Sequence, residues 1–87
     1  METITDKQFL TTDPSLAAYL YVKNVRLQRL EPHNGRCIMV FDLPSEGMVE
    51  EFKTGRGQVS ALLYYRAYKS IISRVNTMME ETRGLLR

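Results

Sequence analysis

Cys37 and His33 are the only cysteine and the only histidine of the chain, and they lie four positions apart. A thiol with an imidazole in reach is how a thiolate nucleophile is made, provided that the thiol is exposed. Here Cys37 opens the apolar run Cys37-Ile38-Met39-Val40-Phe41, where a free cysteine behaves as a small hydrophobe. His33 lies in the turn sequence Glu31-Pro32-His33-Asn34-Gly35. No third group to orient the imidazole and no oxyanion device is visible, so the pair reads as structural and no catalytic residue is assigned. Two ligands also fall short of a zinc site, and a single cysteine excludes an intramolecular disulfide. No metal and no cofactor are expected.

Gly55-Arg56-Gly57 precedes a helical pattern, and backbone amides in such a loop can cradle an anion. It lacks the spacing of the known phosphate loops and follows no strand, so it reads as a helix–helix connector. The acids Glu50-Glu51 and Glu80-Glu81 are sequence neighbours that point to different sides of a helix, which suits solvated faces better than a paired-carboxylate site.

Two binding chemistries remain. Arg26, Arg29, Arg36, Arg66, Lys69 and Arg74 are spaced so that a fold could gather them into one basic surface, with His33 and Arg56 nearby in the chain. Basic side chains contact phosphates and tyrosine rings stack on bases, so this set is the candidate nucleic-acid contact. The competing reading is solvated charge. Twelve basic residues stand against ten acidic ones, a balance that permits a polyanion partner without demanding it. The second chemistry is protein contact. Tyr64, Tyr65, Tyr68, Met78 and Met79 fall in one helical stretch, and Tyr and Met are enriched at interfaces. They fit either a homodimer or another protein partner, and they fit an internal core equally well.

These residues need elements to hold them. The longest periodic segment runs from Val59 to Arg83, with apolar residues at Ala61, Tyr64, Tyr65, Tyr68, Ile71, Ile72, Val75, Met78 and Met79. That spacing predicts an amphipathic helix with Arg66, Lys69, Ser70, Ser73 and Arg74 facing water. Asp13 and Pro14 predict a helix start, since Asp caps orphan amides and Pro loses no bond at the first position. This helix should end near Lys23-Asn24. Val25 to Leu30 reads as a strand, Asn34-Gly35 as the centre of a hairpin turn, and Arg36 to Asp42 as the returning strand. The unbroken apolar run in that second strand predicts burial on both faces. Ser45 should cap a short helix from Glu46 to about Lys53, closed by Gly55. Residues 1–8 and 82–87 are expected to fray.

The expected fold is α+β: one domain over residues 1–87, with a small β-hairpin sheet packed against two short helices and one long C-terminal helix. A lone hairpin is marginal in water, so the free side of the second strand should need a third strand from the N-terminus or a second copy. No charged-then-apolar leader and no run of apolar residues long enough for a membrane span is present, which leads to the expectation of a cytoplasmic protein without membrane contact.

Several of these pieces form a distinctive series: Phe9-x-Thr-x-Asp13, then Leu16-Ala-Ala-Tyr-Leu20, a strand ending Leu30-Glu31, the apolar strand Cys37 to Asp42, and Phe52-x-x-Gly55. Together they resemble a family of short bacterial and phage proteins classed as a domain of unknown function. The likeness spans about residues 9–75. It implies a bacterial or mobile-element origin and a compact α+β domain, and it brings no catalytic residues to carry over. The expected function is non-enzymatic binding, first of nucleic acid through the basic set, with a protein-interaction module or homodimeric adaptor using the Tyr and Met set as the alternative.

Overall fold

The computed structural model describes residues 2–85. In chain order the elements are β1 (Glu2–Ile4), β2 (Gln8–Thr11), α1 (Pro14–Val22), β3 (Leu27–His33), β4 (Arg36–Asp42), α2 (Met48–Lys53) and α3 (Ala61–Leu85). The strands form one antiparallel sheet in the order β1-β2-β4-β3. The architecture is the expected α+β arrangement, enlarged by an N-terminal hairpin.

That hairpin corrects the expectation that residues 1–8 fray. Gln8 to Thr11 pairs with Asp42 to Met39, which supplies the third strand that β4 needs, and Glu2 to Ile4 pairs on its far side. A side-chain ion pair between Lys53 and Glu2 at 2.7 Å ties β1 to α2, and this bond holds the Lys53 ammonium above its ordinary pKa. At the other end α3 continues to Leu85. Met1, Leu86 and Arg87, which were expected to fray, lie outside the described residues.

The second hairpin is tighter than expected. β3 runs on to His33, and the turn shrinks to Asn34-Gly35, both at positive φ (50° and 77°). This is the two-residue turn whose twist matches the flanking strands. Pro32 is therefore a strand residue opposite Cys37, which is tolerated because β3 is a sheet edge. A register shift lies between Leu27 and Arg29.

Alternation sorts the side chains onto two faces. Phe9, Cys37, Met39 and Phe41 join Leu16, Ala17, Tyr19, Leu20 and Ile71 in one buried cluster, with Met48, Val49 and Phe52 of α2 packed against it. All three helices therefore sit on this face. Every residue from Cys37 to Phe41 is buried, as the unbroken apolar run implied. In α1 all five residues from Leu16 to Leu20 are buried, because the helix contacts β2, α2 and α3 at once.

The cap of α1 is the one expected. Asp13 Oδ1 accepts from the Ser15 amide at 2.9 Å, and Asn24 takes up positive φ just past the helix end. The cap of α2 is not. Gly47, in the left-handed region at φ 84°, precedes Met48, and Ser45 contributes only its carbonyl to the Met48 amide. Gly55 closes α2 at φ 75°. Gly57 is needed for a different reason: a Cβ there would lie 2.7 Å from Cε1 and Cζ of the Tyr19 ring.

Candidate interaction surface

The helix layer presents α3 outward. Tyr64, Ala67, Ile71, Val75 and Met78 recur at three- and four-residue intervals and turn inward, so the stripe predicted from the sequence is core for most of its length. Tyr64 is half-buried. Its hydroxyl donates to the Ser15 carbonyl at 3.1 Å, and its ring stacks on Tyr68 with centroids 6.4 Å apart. Burial, with Asp13 and Tyr68 adding to it, raises the Tyr64 pKa. Met78 and Met79 are half-buried against the core. Of the five tyrosine and methionine candidates, Tyr65 and Tyr68 reach solvent as exposed side chains.

Two residues outside the predicted stripe join them. Leu62 is 55% exposed, Leu63 52% and Tyr65 58%. With Tyr68 they occupy the first two turns of α3, and Tyr21 at the end of α1 is exposed as well. Part of the signal was present in the sequence: Leu62 falls on the side opposite the inward stripe, whereas Leu63 continues the four-residue row of Ala67 and Ile71 and lies at the margin of that stripe. Aliphatic side chains in such a position have no internal partner to explain them.

The basic residues do not converge on one patch. Arg26 precedes β3, and its backbone carbonyl accepts from the Asp42 amide at 2.9 Å. Arg29 lies on the sheet face away from the helices, in an ion pair with Glu31 at 2.5 Å and donating to Gln28 Oε1. Arg36 stands at the hairpin tip, next to Gly35. Arg66, Lys69 and Arg74 belong to α3 and are exposed. Lys69 lies over the Tyr65 ring at 5.4 Å and Arg74 over the Tyr21 ring at 6.0 Å, so two of the three cations are held against exposed aromatics. The Arg66 side chain makes no hydrogen bond or ion pair with the described residues.

Between the end of α1 and the first half of α3 is a cleft of about 370 Å³ lined by Tyr21, Val22, Asn24, Leu63, Arg66, Ala67 and Ser70. The other features singled out from the sequence fall elsewhere. Cys37 is buried on the helix-facing side of β4, and burial pushes its thiol pKa up while a backbone hydrogen bond at Glu31 pulls the other way. His33 pairs with Arg36 and, by alternation, projects to the opposite face from Cys37. The amides of Arg56 and Gly57 both donate to the Glu51 carbonyl, at 2.9 and 3.0 Å, so the glycine loop spends its donors on α2. Among the described residues no cluster of three or more His, Cys, Asp or Glu side chains is placed to hold a metal ion, and no helix is long and apolar enough to cross a membrane.

Compared with known proteins, the chain matches no family model, no curated protein and no solved structure.

Proposed function

We propose that this protein is a non-enzymatic interaction module whose contact surface is the outward side of α3 in its first half, and that its partner is a protein. The observation that carries the reading is the exposure of Leu62 and Leu63 beside Tyr65 and Tyr68. Aromatic and cationic side chains serve equally well on a nucleic acid or on a protein. Aliphatic ones gain nothing from a phosphate backbone and are stabilised only by apolar surface. The cytoplasmic setting and the bacterial or phage origin implied by the family resemblance belong to the same proposal.

Site-specific photo-crosslinking in cells tests it. A photoreactive residue in place of Leu62 should yield discrete protein adducts that are missing when the same residue replaces exposed Asp6. An adduct of twice the chain mass would identify a homodimer, to be checked by light scattering. Adduct patterns that do not differ between the two positions would remove the reading.

A nucleic-acid partner has one observation in its favour: Arg66 and Lys69 interleave with Tyr65 and Tyr68 in one short exposed stretch. That reading expects oligonucleotide binding that falls steeply with salt and is abolished by Arg66→Glu with Lys69→Glu. Binding unchanged by the double substitution would dismiss it.

A further inference from the structure

The surface around the α1/α3 cleft has one sign of charge. No Asp or Glu occurs in α1, and none occurs in α3 before Glu80, whereas Arg66, Lys69 and Arg74 fall within that span. The acids of α2 border a different cleft, in the company of Lys23 and Arg56. The walls of the α1/α3 cleft are apolar where they are most exposed, at Tyr21 and Leu63, and its floor includes buried Ala67. Arg66, whose side chain has no hydrogen-bond or ion-pair partner among the described residues, stands in its lining.

We infer that this cleft takes an acidic, amphipathic segment of a partner protein, with an apolar side chain of the segment seated between Tyr21 and Leu63 and its carboxylates facing Arg66 and Arg74. The inference rests on the protein-interaction reading and names the partner's chemistry. A segment of this kind uses both halves of the surface. Its apolar side enters the cleft, and its acids meet cations that carry no acid partner among the described residues. A second copy docked symmetrically through the same cleft would bring two surfaces of the same positive sign together, which is unfavourable. A polynucleotide would satisfy the cations and leave Leu63 and the cleft without an apolar partner.

Selection from a random peptide library displayed on phage, against the immobilised full chain, tests this. The selected peptides should be rich in Asp and Glu and carry apolar residues at helical spacing. Their affinity should fall about tenfold or more with Leu63→Gln and likewise with Arg66→Glu, as expected when a central contact is removed. It should not change with Glu80→Lys, which alters charge away from the cleft. No enrichment, enrichment of basic or uncharged peptides, or acidic peptides whose affinity ignores Leu63→Gln would overturn the inference. Acidic peptides displaced by an oligonucleotide, with the same salt dependence for both, would reduce the surface to a general anion attractor and overturn it too. If the selection fails while Leu62 still crosslinks to protein in cells, the interaction reading stands and the acidic segment does not.

Discussion

The two broad surfaces of this molecule handle their side chains in opposite ways. On the sheet face away from the helices, polar groups bond to one another. Gln8 Nε2 donates to Gln28 Oε1 at 2.9 Å, Gln28 Nε2 donates to Asp42 Oδ1 at 2.6 Å, and Arg29 bonds both Gln28 and Glu31. Beneath this lattice Val40 is 0% exposed, although no helix covers it. Its cross-strand neighbours Leu10 and Arg29 flank it. On the outer side of α3 the pattern reverses: Leu62, Leu63 and Tyr65 face water, and the cations near them have no acid partners among the described residues. A surface that satisfies itself is finished in the monomer. A surface of apolar groups and unpaired like charges is stabilised by something outside the chain, and this contrast locates the contact face.

The largest effect that would break the contrast lies on the sheet side. If Val40 is core despite its position, Val40→Ala removes fully buried methyl surface and should cost about 2 kcal/mol, readable as a lower urea midpoint at unchanged slope. A cost within about 0.5 kcal/mol, the range of ordinary surface changes, would mean that this face is as loosely covered as the outer side of α3.

Next comes the polar lattice itself. Asp42→Ala deletes the acceptor of Gln28, whose own Oε1 accepts from Gln8 and Arg29. Gln8, Gln28 and Asp42 are part-buried and Arg29 is exposed, so water replaces part of what is lost, and about 1 kcal/mol is expected. A double-mutant cycle with Gln8→Ala should show a coupling of the two positions, since both act through Gln28. Strict additivity would show that these contacts are independent and that the lattice is no unit.

Tyr19 tests the inner side of the helix layer. Its hydroxyl is buried and forms no well-placed hydrogen bond among the described residues, with only the Glu51 carboxylate in reach, while the ring packs on Phe52 at 5.1 Å and under the backbone of Gly57. Burial, with Glu51 adding to it, raises the phenol pKa. Tyr19→Phe keeps the packing and removes an unsatisfied polar atom, so it should raise stability by roughly 1 kcal/mol. The sign of the pH dependence follows from the raised pKa. The folded state holds the phenolic proton more tightly, so this contribution is intact below the unfolded value of 10.0 and is lost as pH rises above it. The parent should therefore lose stability more steeply than Tyr19→Phe in alkaline urea titrations. Parallel curves would show that Tyr19 ionises equally in both states.

Much of the fold was legible where the signals are local. Asp13 and Pro14 start α1, Asn24 follows its end, Asn34-Gly35 turns the second hairpin, and Gly55 closes α2, because each position needs a cap or a positive φ that few residues supply. The N-terminal hairpin was not legible. Glu2–Ile4 is short and wholly exposed, and its strand character comes from pairing with β2, which is itself defined by pairing with β4. β3 was cut short for a related reason: Pro32 reads as a strand breaker unless its strand is known to be an edge. For the contact surface, Tyr65, Arg66, Tyr68 and Lys69 were visible as a helical group. Which basic residues share a side was not, because Arg29 and Arg66 belong to opposite layers and only the tertiary arrangement decides that. Leu62 and Leu63 were not legible as exposed, because a leucine at the margin of an apolar stripe is compatible with burial and only the packing of α1 against α3 leaves these two uncovered.

The smallest effect on stability is the one that matters most to the contrast. Leu62→Gln with Leu63→Gln exchanges two exposed leucines for a residue of similar helix propensity, so neither helix formation nor core packing changes much. The expected stability change is within about 0.5 kcal/mol, measured by urea unfolding, with an unaltered far-ultraviolet circular dichroism spectrum. Crosslinking from a photoreactive residue at Tyr65 should nevertheless be lost, because the neighbouring apolar surface that a partner covers has been replaced. A loss of stability of 2 kcal/mol or more would mean instead that the leucines pack within the chain, as buried leucines do. Their exposure would then not mark a contact surface, and the difference between the two sides of the molecule would disappear.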